Sequence, residues 1–228
     1  MAFPHPWLPP FDYKISILGA GGVGKTSLLK TFFGHKFSEK HVPTVDDYFI
    51  HSVNIDGVYY STCIVDTAGT YAFPVMRRLA IHTCQAFIVV FAINSESSFR
   101  EAFEIIDEIY SIKVKAGSEA KKIILNLVAN KLDIDCRERV ITAARAHAEL
   151  SKRSWLTGEY MEISSMLNFR VERTFHSLVK LIVEDFEEKE KKKGRVRSTK
   201  KMRSLKGKSK NGKRKLKKVK SDDTCIIT

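Results

Sequence analysis

The sequence predicts an α/β fold: a doubly wound, mostly parallel six-stranded sheet flanked by helices. Three observations predict it. Gly19-Ala20-Gly21-Gly22-Val23-Gly24-Lys25-Thr26 fits G-x-x-x-x-G-K-[ST] and stands between a strand-like and a helix-like run. The continuous apolar run Ala86 to Ile93 reads as a strand buried on both faces of a parallel sheet, and Lys122 to Ala129 reads as another buried strand. Strand and helix patterns alternate along the chain after one early hairpin.

Taken in order, residues 1–11 hold four prolines and lack the basic start and apolar core of a signal peptide. They read as an extended, disordered lead-in. Tyr13 to Leu18 alternates towards apolar, as a buried strand does, and Leu28, Leu29, Phe32 and Phe33 recur at helical spacing. Asp47 to Ile55 and Tyr59 to Val65 form a hairpin about Asp56-Gly57, a strong turn signal. Ser95 caps a helix whose Phe99, Phe103, Ile106, Ile109 and Tyr110 mark one face. Arg137 to Lys152 reads as an Ala-rich helix and Tyr160 to Ile163 as a short strand. Asn168 to Glu188 reads as a long helix burying Val171, Phe175, Leu178, Val179 and Ile182. Beyond Glu188 no apolar stripe continues, so 12–188 is the predicted domain and 189–228 a disordered tail.

The strand, glycine loop and helix gather backbone N–H groups and a helix N-terminus around one anion. That is the phosphate site of a P-loop NTPase. Gly19, Gly21, Gly22, Val23, Gly24 and Ser27 line it, Lys25 reaches the outer phosphates, and the Thr26 hydroxyl binds Mg²⁺. A flexible glycine turn is the alternative. Asp66-Thr67-Ala68-Gly69 follows the second hairpin strand, which puts Asp66 at a strand C-terminus where it can hold Mg²⁺ through water. The Gly69 N–H can approach the γ-phosphate. Asn130-Lys131-Leu132-Asp133 follows a buried strand. A carboxylate at Asp133 accepts from both the N1 and N2 donors of guanine, a pair that adenine lacks. The Lys131 stem covers one face of the base. Thr44, in the polar segment before the second strand, is a candidate second Mg²⁺ ligand that holds that segment while the γ-phosphate is present. Its alternative is a plain loop hydroxyl.

With these motifs in this order, the chain resembles the Ras family of small GTPases over roughly Asp12 to Glu188. Asp66-Thr67-Ala68-Gly69-Thr70-Tyr71-Ala72-Phe73-Pro74-Val75-Met76-Arg77-Arg78-Leu79 looks most like the Di-Ras and Ras-dva branches. The resemblance implies a small G-domain that binds GTP or GDP with Mg²⁺, and a switch in which segments near Phe37–Tyr48 and Asp66–Ile81 rearrange. It implies a guanine nucleotide exchange factor, a GTPase-activating protein and effectors as partners, and a monomer. Phe37 matches the aromatic that packs on guanine, and Glu162-Ile163-Ser164-Ser165-Met166 matches the family's E-T-S-A-K. Phe37 and Met166 as plain core residues remain the alternative.

The departures carry their own expectations. Lys25, Thr44, Gly69 and the residue after Gly69 are the family's catalytic positions, and that residue is Thr70 where Ras has a glutamine that orients the attacking water. Threonine is too short for that role, so intrinsic hydrolysis is expected to be slow and to rely on an activating protein. Gly21 keeps the path of an arginine finger open. His41 replaces the tyrosine over the phosphates, and Met166 the lysine that helps enclose the base. Val45-Asp46-Asp47-Tyr48-Phe49 departs from the I-E-D-S-Y of the Ras effector segment, which puts shared effectors in doubt. Tyr71, Phe73 and Met76 read equally as partner contacts or local packing. A second function class follows from these departures: a catalytically impaired G-domain acting as a nucleotide-bound scaffold.

The formal net charge of +13 is unevenly placed: Lys189 to Lys220 carries 18 Lys/Arg against Glu190, +17, leaving −4 for the rest. The chain ends Cys225-Ile226-Ile227-Thr228, a C-a-a-X pattern with Cys225 as the lipidation site; Thr228 leaves farnesyl versus geranylgeranyl open. One prenyl chain binds only marginally, and the basic run supplies the second signal towards anionic lipids. The expected location is the cytoplasmic face of the plasma membrane, with a possible nuclear pool through the same basic run. Nucleic acid is a poor candidate because no aromatics stand among the lysines for base stacking. Cys63, Cys84, Cys136 and Cys225 have no metal or redox spacing, and Cys63 and Cys84 sit in apolar runs as small core residues.

Overall fold

The computed structural model describes residues 10–35, 47–67, 74–115 and 122–208. Its elements are β1 (Tyr13–Gly19), α1 (Lys25–Phe32), β2 (Asp47–Ile55), β3 (Val58–Asp66), α2 (Pro74–Thr83), β4 (Ala86–Ala92) and α3 (Glu96–Lys115). They continue with β5 (Ile123–Asn130), α4 (Ala143–Ser151), β6 (Leu156–Thr157), β7 (Tyr160–Glu162) and α5 (Val171–Lys208). The strands form one sheet in the order β2-β3-β1-β4-β5-β6, with β7 also on β5. Only β2 runs antiparallel to its neighbour; every other pairing is parallel.

Strand periodicity divides the core into two layers. On β4, Ala86, Ile88, Val90 and Ala92 face one cluster with Leu28 and Leu29 of α1 and Phe175, Leu178 and Ile182 of α5. Phe87, Val89 and Phe91 face the other, with Ile81 of α2 and Phe99, Ile106 and Ile109 of α3. Each of the larger side chains contributes on the order of 1.5–3 kcal/mol by leaving water. Helices on both faces are why β4 is apolar throughout and β5 is buried along its whole length. Cys63 and Cys84 are both buried, Cys84 within the second cluster. The hairpin turns at Asp56 and Gly57, at φ of 50° and 88°, the left-handed pair a two-residue turn needs.

The α3–α4 seam is closed by a repeated device. Arg145 forks onto Glu96 at 2.6 Å through both terminal nitrogens while its guanidinium lies 4.9 Å from the Phe99 ring. Arg153 forks likewise onto Asp107, through Nε and Nη2 at 2.7 Å each, with its guanidinium 4.6 Å from the Phe103 ring. Ser95 caps α3 as expected, its hydroxyl accepting from the Ser98 N–H at 3.2 Å.

Four elements differ from the sequence expectation. The sheet has seven strands rather than six, because the edge strand beside β5 is split into β6 and β7. Helix α4 begins at Ala143 rather than Arg137: Thr142 takes the N-cap, and Val140 and Ile141 instead donate to the Ile93 carbonyl at 3.0 and 2.9 Å. Helix α2 was not expected from sequence. Helix α5 starts at Val171 and does not stop at Glu188, so 189–208 is helical backbone where a disordered tail was expected. Lys, Arg and Glu are good helix formers, and a Glu187–Lys191 pair at 3.2 Å supports the turn that crosses that boundary. The chain divides into compact units Met1–Asp185 and Phe186–Thr228. Among the described residues no helix is long and apolar enough to cross a membrane. The expected lead-in up to residue 9 and the tail beyond Lys208 lie outside the described residues.

Candidate functional site

Parallel strands β1, β3, β4 and β5 bring their C-terminal ends to one edge of the sheet, the edge at which open α/β folds bind ligands. Gly19 ends β1 there, and the chain turns through Ala20–Gly24 into α1. Gly21 and Gly22 are exposed and Val23 is buried. Gly24 caps α1 at φ 96°, left-handed, and a Cβ on it would lie 2.4 Å from Asn130 Nδ2. Only glycine fits that corner. No side chain caps α1 and its first turn holds no acid, so the helix N-terminus is presented to an incoming anion.

Lys25 folds back over the loop, and its ammonium donates to the carbonyls of Gly19 and Ala20 at 2.9 and 2.7 Å. Burial pulls its pKa down from 10.5 to about 8, against the opposing charges of Asp66 and Glu101. Such a buried cation is poised for a strong interaction with a phosphate. The Thr26 hydroxyl donates to Asp66 Oδ2 at 2.7 Å, which joins two oxygen groups of the kind that suit a hard cation. Thr67 locks this strand end to β1 by donating to the Ile17 carbonyl at 2.6 Å. Ser27 is half-buried in the first turn of α1.

Asn130 is the centre of the arrangement. It is 2% exposed; its Nδ2 donates to the Val23 carbonyl at 2.9 Å, and its Oδ1 accepts from the N–H and hydroxyl of Ser165, both at 3.1 Å. One side chain thus ties the glycine loop to the segment after β7. Lys131 takes a left-handed turn, φ 70°, and Leu132 N donates to the Ile163 carbonyl at 3.0 Å. Ser164 donates from its hydroxyl to Asp133 and accepts from Leu167 N. Asn130, Asp133, Ser164 and Ser165 are therefore assembled in one place with Val23 and Gly24. Met166 stands half out, 46% exposed.

Two supporting contacts had no sequence signal. Thr31 of α1 donates to the Ser165 carbonyl at 2.9 Å. Glu162 is held by Arg139 and by the Tyr160 hydroxyl at 2.8 Å. Burial pushes the Glu162 carboxyl up, and the bonds from Arg139 and Tyr160 more than reverse this, so its pKa ends below the ordinary value. Arg139 also donates to the Ile141 carbonyl at 2.7 Å, which fixes the approach to α4 against β7. On α2, Val75, Met76 and Leu79 are exposed, whereas Ala80 and Ile81 are buried. Phe37, His41, Thr44, Gly69, Thr70, Tyr71, Phe73 and Cys225 lie outside the described residues.

The match to known proteins decides the family. Residues 14–184 match the Ras family. The chain belongs to the Ras family. It is 36% identical over 170 residues to the GTP-binding protein Di-Ras2 of Mus musculus, an alignment covering 75% of this chain and 81% of that relative. It is 34% identical over the same shares to the GTP-binding protein Di-Ras1 of Homo sapiens. To the GTP-binding protein Rhes of Mus musculus it is 32% identical, over 73% of this chain and 63% of that protein. It is a Ras-family small GTPase near Di-Ras. Proteins of this family bind GTP and GDP, generally with Mg²⁺, hydrolyse GTP, and work with exchange factors, activating proteins and effectors.

Proposed function

We propose that this GTPase is a slow GTP/GDP switch, tethered to a membrane by its C-terminal tail. The observation that carries the nucleotide assignment is the Asn130 clasp, which joins the phosphate loop to Ser165, next to Ser164 on Asp133. In this reading Gly19–Ser27 wrap the phosphates, Lys25 pairs with the outer ones, and Asp133 accepts from the N1 and N2 donors of guanine, with Lys131, Ser164, Ser165, Met166 and Phe37 around the base. The donor set suits Mg²⁺, with Thr26, Asp66 and Thr44 as the residues that would hold it. Bound there, Mg²⁺ neutralises phosphate charge. The chain's own part is to position: Lys25 and the N-terminus of α1 stabilise charge on the phosphate oxygens, and the Gly69 N–H and Thr44 report the γ-phosphate.

The slow rate rests on Thr70, whose hydroxyl reaches less far than a glutamine amide towards an attacking water. The exposed Val75, Met76 and Leu79 on α2 favour partner contacts over local packing. The basic run of 189–220 and Cys225 support the tether, at about 1 kcal/mol for each basic residue near an anionic surface. Its expected place is the cytoplasmic face of the plasma membrane. A nucleotide-bound scaffold that never turns over is the second reading, favoured by Thr70, His41 and Met166 together. Single-turnover GTP loss, with and without an activating protein, separates the two: slow loss that the activator speeds supports the switch, and no loss in either condition overturns it. A Cys225→Ser chain that stays on membranes refutes the lipid tether.

A further inference from the structure

Asn126 interrupts an otherwise apolar strand, Ile123-Ile124-Leu125-Asn126-Leu127-Val128, and is fully buried. A buried amide persists only where its bonds are met. Here Nδ2 donates to the Thr174 carbonyl at 3.1 Å and the Ser177 hydroxyl at 2.9 Å, both on α5. Oδ1 accepts from the Glu159 N–H at 3.0 Å.

The third bond explains why the edge strand is split. Ile123 N donates to the Trp155 carbonyl and Leu127 N to the Glu159 carbonyl, each at 2.9 Å, and both stretches share one register. Continued without a break, this parallel ladder directs the Glu159 N–H to the Leu125 carbonyl. Gly158 instead backs onto that carbonyl, so closely that a Cβ would lie 1.5 Å from its oxygen. The ladder breaks there, and the Asn126 side chain takes the donor that the break releases. Strand β7 begins at the next residue, Tyr160, and runs directly into Ile163–Met166. At three residues, β7 is at the short end for a strand, and its ladder to β5 is brief. It is fixed at its far end by Ile163 N on the Ala129 carbonyl, 2.9 Å, and at its near end by Asn126.

We infer that Asn126 is a positioning residue for guanine recognition: it sets β7, and through β7 places Ser164 and Ser165 against Asp133 and Asn130. The inference rests on the assignment of guanine to the Asp133 edge proposed above. Asn126→Val puts a strand-favouring, β-branched residue at this position and removes all three bonds. The test measures release of a fluorescent GDP analogue, and the preference for GDP over inosine diphosphate, which lacks the N2 donor. Ile105→Ala, a cavity in α3 on the opposite face of the sheet, serves as the control for lost stability. Asn126→Val should release GDP about tenfold faster and lose about threefold of the base preference, with Ile105→Ala leaving both unchanged. Wild-type release from Asn126→Val, or the same change in both variants, overturns the inference. Should Asn126→Val not fold, Ser177→Ala loosens the same amide from its helix side and should speed release about twofold; a wild-type rate there overturns it equally. A wild-type chain that binds no GDP instead sinks the underlying guanine assignment.

Discussion

Replacing Asn130 by alanine removes a side chain that joins the phosphate loop to the segment after β7. Three bonds are lost: to the Val23 carbonyl at 2.9 Å, and from the Ser165 N–H and hydroxyl at 3.1 Å each. Ser165 is 2% exposed and Val23 1%, so water cannot readily replace the missing partner. At about 1 kcal/mol for each bond, with a further penalty for groups left buried and unpaired, the loss is about 3 kcal/mol or more. For a domain of this size each kcal/mol moves Tm by roughly 2–4 °C, so a fall of about 6–12 °C is expected. If the nucleotide sits as proposed, the same bonds hold its site together, and 3 kcal/mol is about a hundredfold in release rate. Thermal unfolding of the GDP-bound protein and release of a fluorescent GDP analogue read the two effects. Asn130→Asp separates the bonds further: its carboxylate can still accept from Ser165 but faces the Val23 carbonyl with an oxygen, so it should lose the loop contact and keep the other. A Tm within about 2 °C of wild type together with near-wild-type GDP release would refute the reasoning.

Three further outcomes follow from particular residues. Lys25 has its pKa lowered on folding, from 10.5 to about 8, so between those values the unfolded chain binds more protons and stability rises with pH. The nucleotide-free protein should gain up to about 3 kcal/mol across that window relative to Lys25→Met, and parallel pH curves in urea unfolding would contradict it. Ser16 is fully buried and its hydroxyl has no partner among the described residues, so Ser16→Ala should stabilise by about 1 kcal/mol; an unchanged or lower Tm counts against this. Arg77 and Arg78 of α2 both reach Glu108 of α3, at 2.9 and 3.8 Å, so Glu108→Gln should raise amide exchange in α2 while leaving α4 unchanged.

Much of this was legible in the sequence, and the remainder has physical reasons. A continuous apolar run marked β4, a mostly apolar one marked β5, and Asp56-Gly57 marked the hairpin, because buried strands and two-residue turns leave local signatures. The phosphate loop and Asn130–Asp133 were legible for the same reason: their chemistry demands fixed residues at fixed spacing. Helix α2 was not, since only its C-terminal Ala80 and Ile81 are buried and its other apolar residues face outward. The start of α4 was hidden because Val140 and Ile141 continue an apolar pattern while their N–H groups serve the end of β4. The split edge strand depends on Asn126 meeting Glu159, a contact between residues far apart in the chain. The clasping role of Asn130 is likewise tertiary: its position in a base motif was legible, its grip on Val23 was not. Helix α5 ran on because a loss of apolar periodicity removes packing without removing helix propensity.

The measurement that tests the central claim most directly is the identity and fate of the nucleotide on the purified full chain. The protein should carry guanine nucleotide alone, should hydrolyse GTP slowly by itself, and should gain rate when Thr70 is changed to Gln. Adenine nucleotide in the site, or a Thr70→Gln protein no faster than wild type, would contradict it.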